Sequence, residues 1–176
     1  MNIFVTVGTT RFDSLIVNLD KIFLNTKYNV IMQIANTDYK PKNVKYFRFI
    51  NNIKYYFEKS DIIITHAGAG SIYEILELNK KVIIVPNLER IDKHQKDIAD
   101  YMHTNNYAYT IYDINFILKA IEYVKNNHFN VFKKENFFVA DEIYSYIIKY
   151  GNKNENSSCR NRLCRSVNKY AFSSTQ

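Results

Sequence analysis

Residues Ser60–Glu77 read SDIIITHAGAGSIYEILE, and this stretch decides the fold. It opens with the isoleucines Ile62–Ile64, a β-branched run that is too short for a helix and typical of a buried strand. Apolar residues then recur at helical spacing after Ser71, which is predicted to cap that helix, with Glu74 in its first turn. Strand, small-residue loop and helix together build an anion site, because glycines admit a phosphate to the main chain and helix amides face it. The stretch therefore predicts a phosphate-binding loop at His66–Ser71.

The rest of the chain continues this alternation of strands and helices. Further strands are predicted at Ile3–Val7, Val30–Ala35, Val44–Phe49, Val82–Val85 and Tyr107–Ile111. Helices are predicted at 13–25 with Asp13 as cap, at Ile53–Glu58, from near His94, after Asp113 or Asn115 as cap, and at Phe137–Tyr150. Strands that alternate with helices pair in parallel. The expected fold class is therefore α/β, a Rossmann-like parallel sheet of about six strands with helices on both faces.

Length and composition bound the class of protein. At 176 residues the chain is long enough for one domain with a proper core, which we expect to span residues 1–150. No apolar run has the length of a membrane span, and the chain enters its first strand without a signal peptide, so we expect a cytoplasmic protein. Residues 151–176 carry +4 of the net charge of +7, and we expect them to form a basic, flexible tail.

The basic tail has two open interpretations. It is either a solvated segment or a segment attracted to an anionic membrane surface or an acidic partner. Nucleic-acid binding is disfavoured, because no basic stripe is interleaved with aromatic residues on a known module. The tail also holds both cysteines, Cys159 and Cys164, which fit reduced thiols better than a disulfide framework or a zinc site.

Three polar loops follow strands that should end at one edge of the sheet. They are Gly8–Phe12, His66–Ser71 and Asn87–Gln95. In parallel sheets the ligand lies beyond the carboxyl ends of the strands, where the strand order reverses. We therefore assign the three loops to the diphosphate and sugar of a nucleotide-sugar. The candidate substrate-binding residues are Gly8, Thr9, Thr10, His66, Gly68, Ala69, Gly70, Ser71, Glu74, Asp92, His94 and Gln95.

The loop residues nearest the phosphates each have a structural alternative. Thr9 and Thr10, with the Gly8 amide, either close the diphosphate pocket or cap the first helix. His66 and His94 either donate to a phosphate or make structural hydrogen bonds. The central loop itself is alternatively a plain tight turn with packing glycines.

Two polar side chains on the helices suit the rest of such a ligand. The Glu74 carboxylate can accept two hydrogen bonds from a ribose diol, or it is simply a favourable charge near a helix start. Gln95 offers a donor and an acceptor for adjacent sugar hydroxyls, or it is a surface residue of a capping region.

Several cofactor and metal motifs are absent from the sequence. The central loop lacks the third glycine of a nicotinamide-binding fingerprint and the Gly-Lys-Ser/Thr of a Walker loop. No Asp-x-Asp occurs, so we predict no cofactor and no bound metal. Main-chain amides and a helix dipole then have to stabilise the leaving nucleotide. No catalytic base is identified, and His66 and His94 are the candidates on this chain.

The motifs fall into three groups in a fixed order: Val7–Thr10 followed by Phe12-Asp13-x-Leu15-Ile16, then Ser60–Ser71 with Glu74, then His94-Gln95 with Ala99. Over residues 1–148 this pattern resembles the split glycosyltransferases related to MurG. In these, the family-28 C-terminal, donor-binding half of a GT-B enzyme is a separate chain. The group includes the catalytic subunit of the dolichyl-diphosphate N-acetylglucosamine transferase and bacterial PssE-type exopolysaccharide and capsule subunits.

The resemblance implies a UDP-sugar donor, with Gly68–Ser71 at the phosphates, Glu74 at the ribose and Gln95 at the sugar. It implies a catalytic subunit that transfers a hexose or N-acetylhexosamine (GlcNAc, Gal or Glc), with inversion, to a lipid-diphosphate-linked saccharide. It also implies a membrane-anchored, acceptor-binding partner that recruits this chain to the cytoplasmic membrane face. In MurG-like enzymes the base would lie in that other half, but bacterial pairs differ in which subunit carries what, and the base stays unassigned. Two alternatives stay open: a non-catalytic scaffold that stabilises such a partner, and a sugar-nucleotide epimerase, which the short chain disfavours.

Overall fold

A computed structural model describes residues 1–88 and 94–133, together with the single residues 144, 145 and 148. The chain divides into two units, Met1–Lys134 and Glu135–Gln176, and the description below concerns the first. Several sequence-based expectations lie outside the described residues: most of the helix Phe137–Tyr150, the boundary after residue 150, and the basic tail with Cys159 and Cys164.

Six parallel strands form one sheet in the order β3-β2-β1-β4-β5-β6, with helices on both faces. The elements are β1 Asn2–Thr6, α1 Asp13–Phe23, β2 Asn29–Gln33, β3 Lys45–Phe47, α2 Ile53–Lys59, β4 Ile62–Thr65, α3 Ala69–Glu77, β5 Lys81–Ile84, α4 His94–Thr104, β6 Tyr109–Thr110, a 3-10 turn Ile114–Phe116, and α5 Ile117–Asn126. The predicted fold class is confirmed. The strand order reverses between β1 and β4, which places the ligand crevice of such folds at the carboxyl ends of these two strands.

Both faces of the sheet are buried, as parallel strands require. On one face, Val5 and Ile64 pack with α1 and α5; on the other, Phe4 and Ile63 pack with α2, α3 and α4. Successive side chains of a strand point to opposite faces, so an unbroken β-branched run such as Ile62–Ile64 supplies both cores at once. Among the described residues no helix combines the length and apolarity needed to cross a bilayer.

The two edge strands are shorter than predicted. β6 was expected at 107–111 but pairs with β5 only over Tyr109–Thr110. The amides of Tyr107 and Ala108 donate instead to the carbonyl of Met102 at the end of α4, at 2.9 and 3.3 Å. β3 likewise spans three residues and pairs only with β2. An edge strand has one neighbour, so local competitors shorten it more easily than a central strand.

Two predicted helix caps have different outcomes. α1 begins at Asp13 itself and its N-cap is Phe12, so the prediction that Asp13 caps this helix is wrong; the Asp13 carboxylate pairs with Arg11 instead. Asp113 does act as a cap, because its Oδ1 accepts from the amide of Asn115 at 2.9 Å at the turn that leads into α5.

Candidate functional site

Helix α3 begins at Ala69, earlier in the chain than the sequence suggests. Gly68 is the N-cap in an extended conformation (φ −83°, ψ 115°), and no side chain caps the helix. The prediction that Ser71 is the cap is therefore wrong: Ser71 lies inside the first turn, and Glu74 lies in the second. The extended backbone of Gly68 is the usual conformation of an N-cap residue, and glycine has no side chain that could accept from the helix amides.

The first turn of α3 presents main-chain donors. The first backbone hydrogen bond into this turn runs from Ile72 N to Gly68 O at 3.1 Å. The amides of Ala69, Gly70 and Ser71 precede that bond and are the donors that a helix start leaves without an intrahelical acceptor. A Cβ placed on Gly70 would meet no atom within 4 Å, so the space beside it is open. This turn can bind an anion through its amides.

The imidazole of His66 is buried between the central loop and the first loop. A Cβ on Gly68 would lie 2.5 Å from Nε2 of His66, and a Cβ on Gly8 would lie 3.1 Å from Cε1. Gly8 also has a φ of +57°, a backbone conformation that residues other than glycine rarely adopt. The Oγ of Ser71 is 3.6 Å from the same Gly8 position. The structure therefore brings the first loop, His66 and the start of α3 together.

Two main-chain amides of the first loop are engaged within the protein. Gly8 N–H donates to Thr6 Oγ1 at 3.1 Å, and Thr10 N–H donates to Val7 O at 3.0 Å. The Gly8 amide, which the sequence assigned to the diphosphate, thus already has an acceptor. Within the described part of the chain, Thr9 N–H makes no hydrogen bond. Because no side chain caps α1, Thr9 and Thr10 do not act as its caps.

The third loop contacts the first loop through Asn87, which Gln95 in turn holds. The Gln95 side chain is buried, and its Oε1 accepts from the amide of Asn87 at 2.9 Å. Asn87 Nδ2 in turn donates to Arg11 O at 3.4 Å. Gln95 is therefore not the surface residue of the alternative interpretation, and its acceptor oxygen is engaged on this loop. His94, at the start of α4, is exposed, and Asp92 lies outside the described residues.

Glu74 is exposed, and it lies one turn beyond the start of α3. Residues three and four apart are neighbours on a helix surface, so Glu74 lies one turn from both Gly70 and Ser71. The opposite face of the helix is buried through Ile72 and Ile75. A carboxylate is thus placed next to, and not within, the group of free amides.

The charged groups of the first loop form an ion-pair cluster. Arg11 contacts Asp13 and pairs with Asp38 at 2.7 Å. The hydrogen bond to Asp13 and the charges of both carboxylates raise the pKa of Arg11 above its ordinary value. Across the described ranges, no group of three or more histidine, cysteine, aspartate or glutamate side chains has the geometry to hold a metal ion.

Four apolar side chains at the same edge were not assigned from the sequence. Phe49 and Ile50 follow β3, Leu88 follows β5 and Tyr112 follows β6, with exposures of 51, 40, 58 and 47%. The signal available in the sequence was the presence of large apolar residues in loops that otherwise carry polar groups. They give the carboxyl edge an apolar surface on both sides of the polar loops.

Known proteins resemble the chain in sequence and in fold. Residues 2–136 match the glycosyltransferase family 28 C-terminal domain. The human UDP-N-acetylglucosamine transferase subunit ALG13 is 32% identical over 120 residues, which are 61% of this chain. The chain spans only 11% of the length of that relative.

Two solved structures show the same fold at low identity. A solution NMR structure of ALG13 aligns with a TM-score of 0.54 at 19% identity, over 81% of this chain and 94% of that one. The crystal structure of MurG from Acinetobacter baumannii aligns with a TM-score of 0.55 at 19% identity, over 72% and 41%. The fold is therefore that of the C-terminal half of a GT-B glycosyltransferase, as the sequence predicts.

Proposed function

Because the chain belongs to the glycosyltransferase family 28 C-terminal domain, we propose that it is the donor-binding, catalytic subunit of a two-component inverting glycosyltransferase. It takes a hexose or N-acetylhexosamine from a UDP-sugar and passes it to a lipid-diphosphate-linked saccharide. UDP-N-acetylglucosamine is the favoured donor, since the human relative is named for it. The observation that carries the proposal is the uncapped start of α3, which faces the first loop across His66.

The chemistry assigned to this turn is stabilisation of the leaving UDP. When the sugar–diphosphate bond breaks, negative charge grows on the β-phosphate. The amides of Ala69, Gly70 and Ser71 point out of the N-terminal end of α3, as they do in any α-helix, and the helix dipole adds partial positive charge there. The Thr9 amide and the Thr9 and Thr10 hydroxyls complete the pocket from the first loop. We assign the stabilisation of this charge to these groups.

The ribose and the sugar are assigned to the two remaining polar side chains. One helical turn corresponds to about 5.4 Å along α3, so Glu74 is at a suitable distance for the ribose of a nucleotide whose phosphates bind at Gly70. A carboxylate can accept from both hydroxyls of a diol. Gln95 Oε1 is engaged with Asn87, but Gln95 Nε2 makes no hydrogen bond within the described part of the chain. We assign this amide nitrogen to the sugar.

The acceptor half is proposed to come from a membrane-anchored partner that covers the carboxyl edge. Support comes from the word subunit in the name of the human relative and from the exposed apolar residues Phe49, Ile50, Leu88 and Tyr112 around the polar loops. An inverting displacement needs a base for the acceptor hydroxyl. We place that base on the partner, and the reaction at the cytoplasmic membrane face.

The direct test of the proposal is calorimetric titration with UDP, UDP-N-acetylglucosamine and uridine. We expect UDP to bind and uridine to bind much more weakly, because the diphosphate supplies the contacts to the helix start. Absence of UDP binding at millimolar ligand would contradict the proposal. Transfer by the reconstituted pair, lost in Glu74→Ala with folding intact, separates a catalytic subunit from a scaffold, whose partner would remain active.

A further inference from the structure

Thr6, Gln33 and the main chain of Gly8 form a closed circuit of hydrogen bonds that holds the first loop. Thr6 Oγ1 accepts from Gly8 N–H at 3.1 Å and donates to Gln33 Oε1 at 2.5 Å. Gln33 Nε2 donates to Gly8 O at 2.6 Å and to Arg48 O at 3.0 Å. Both side chains are buried, with exposures of 0% for Thr6 and 3% for Gln33. All their polar atoms are engaged, and Gly8 is held at both its N–H and its carbonyl.

The circuit follows from the strand register at the crevice. Thr6 on β1 pairs with Gln33 on β2 and with Thr65 on β4, so three polar side chains form one row at the carboxyl ends of these strands. Thr65 is also buried, but its Oγ1 has no hydrogen-bond partner in the described part of the molecule. Of these two threonines, Thr6 is hydrogen-bonded to the first loop through its hydroxyl, and Thr65 makes no such bond among the described residues.

The held loop lies against the candidate diphosphate site. A Cβ placed on Gly8 would lie 3.1 Å from Cε1 of His66 and 3.6 Å from Oγ of Ser71 at the start of α3, so little space separates the Gly8 main chain from these groups. A shift of the Gly8 main chain therefore changes the gap between Thr9 and the free amides of α3. The same Gln33 amide also holds the carbonyl of Arg48, which precedes the exposed residue Phe49, so the loops after β1 and β3 are fixed to one side chain.

We propose that Gln33 and Thr6 are positioning residues for donor binding: they fix the first loop at the separation from α3 that a diphosphate requires. This inference rests on the proposed function. Neither side chain touches the ligand, and both act through the main chain of Gly8. A purely stabilising role for this buried network predicts a different result, in which loss of the network lowers the stability of the fold and leaves the affinity for UDP unchanged.

The test compares four variants of the full 176-residue chain: Thr6→Val, Thr6→Ser, Thr65→Val and Gln33→Met. The first readout is amide hydrogen exchange of Gly8 by NMR without ligand, and the second is the Kd for UDP. We expect Thr6→Val and Gln33→Met to accelerate exchange at Gly8 and to weaken UDP binding about tenfold, as for the loss of one good hydrogen bond. Thr6→Ser, which keeps the hydroxyl, and Thr65→Val, which removes a hydroxyl without a partner, should match the parent protein.

The outcomes separate the two levels of the proposal. Faster exchange at Gly8 with an unchanged Kd overturns the positioning role and leaves the proposed function intact. An equal loss of affinity in Thr65→Val overturns it too, because the effect would then not depend on the circuit. If the parent protein binds no UDP, the proposed function is overturned, and with it the role of Thr6 and Gln33 in donor binding, whatever the exchange data show. If Gln33→Met does not fold, the comparison of Thr6→Val with Thr65→Val decides alone.

Discussion

The imidazole of His66 occupies the space in which any side chain at Gly68 would have to lie, with 2.5 Å between its Nε2 and an ideal Cβ. Because the ring is buried between two loops, it has little room to withdraw. We predict that Gly68→Ala displaces the ring or the loop, lowers the free energy of unfolding by about 1–3 kcal/mol, and weakens UDP binding by more than about tenfold. Urea unfolding and calorimetric titration measure the two effects. A variant with the stability and affinity of the parent protein would contradict this packing.

Gly70→Ala is the matched opposite case on the same turn. A Cβ there meets nothing within 4 Å, and alanine is a better helix residue than glycine, so the free energy of unfolding should rise by about 0.5–1 kcal/mol. The added methyl group extends into the space assigned to the diphosphate, so UDP affinity should fall by about tenfold, or roughly 1.4 kcal/mol. Higher stability with lower affinity is the expected pair of results. Unchanged affinity would mean that the ligand does not approach Gly70.

Gln95→Leu tests the contact between α4 and the loop after β5. The change removes the oxygen that accepts from the buried amide of Asn87 at 2.9 Å, and a buried donor without an acceptor costs about 1–3 kcal/mol. Gln95→Glu keeps an acceptor oxygen at this position and serves as the control. We expect urea unfolding to show a larger loss of stability for Gln95→Leu than for Gln95→Glu. The reverse order would mean that the hydrogen bond from Asn87 N–H is not the main contribution of Gln95 Oε1 to stability.

Asp20 should make the fold sensitive to acid. Burial raises the pKa of its carboxyl, but hydrogen bonds from Lys42 N–H, the Tyr39 hydroxyl and Asn43 N–H outweigh that effect and hold the pKa below its ordinary value of 3.8. A depressed pKa contributes stability that is complete above the unfolded-state pKa and is lost as the pH falls through the folded-state pKa. The free energy of unfolding should therefore decline below about pH 4.

The control for this pH dependence is Asp20→Asn. The variant should be less stable at neutral pH, because an amide nitrogen then faces donors, and its stability should depend less on pH between neutral and about pH 3. Chemical unfolding followed at a series of pH values gives both curves. Parallel curves for the variant and the parent protein would assign the acid sensitivity to other carboxylates.

The fold could be predicted because the composition of the strands and their order along the chain determine it. The run Ile62–Ile64 and the similar runs around it allow only buried strands, and their alternation with helical patterns allows a parallel sheet. The edge strands were harder to delimit, because the end of α4 competes with β5 for the amides of Tyr107 and Ala108. That competition depends on contacts between elements and leaves no mark in local periodicity.

The sequence predicts which loops meet at the carboxyl edge of the sheet, but not the hydrogen bonds that their atoms make. Serine is a common N-cap residue, which is why the sequence predicts Ser71 as the cap. In the structure Gly68 is the N-cap, so the Ser71 amide lies in the first helical turn. The Gly8 amide and the Gln95 oxygen are engaged by Thr6 and Asn87. The pairing of Thr6 with Gln33 depends on the register of two strands, which no single stretch of sequence encodes.

The most direct test of the central claim is an NMR titration of the labelled chain with UDP, read at assigned backbone amides. The account predicts that the largest shifts on UDP binding occur at Ala69, Gly70 and Ser71, with a further shift at Thr9, and that uridine at the same concentration leaves these amides unmoved. Shifts confined to other parts of the molecule, or equal shifts with uridine and UDP, would contradict the claim that the start of α3 binds a diphosphate.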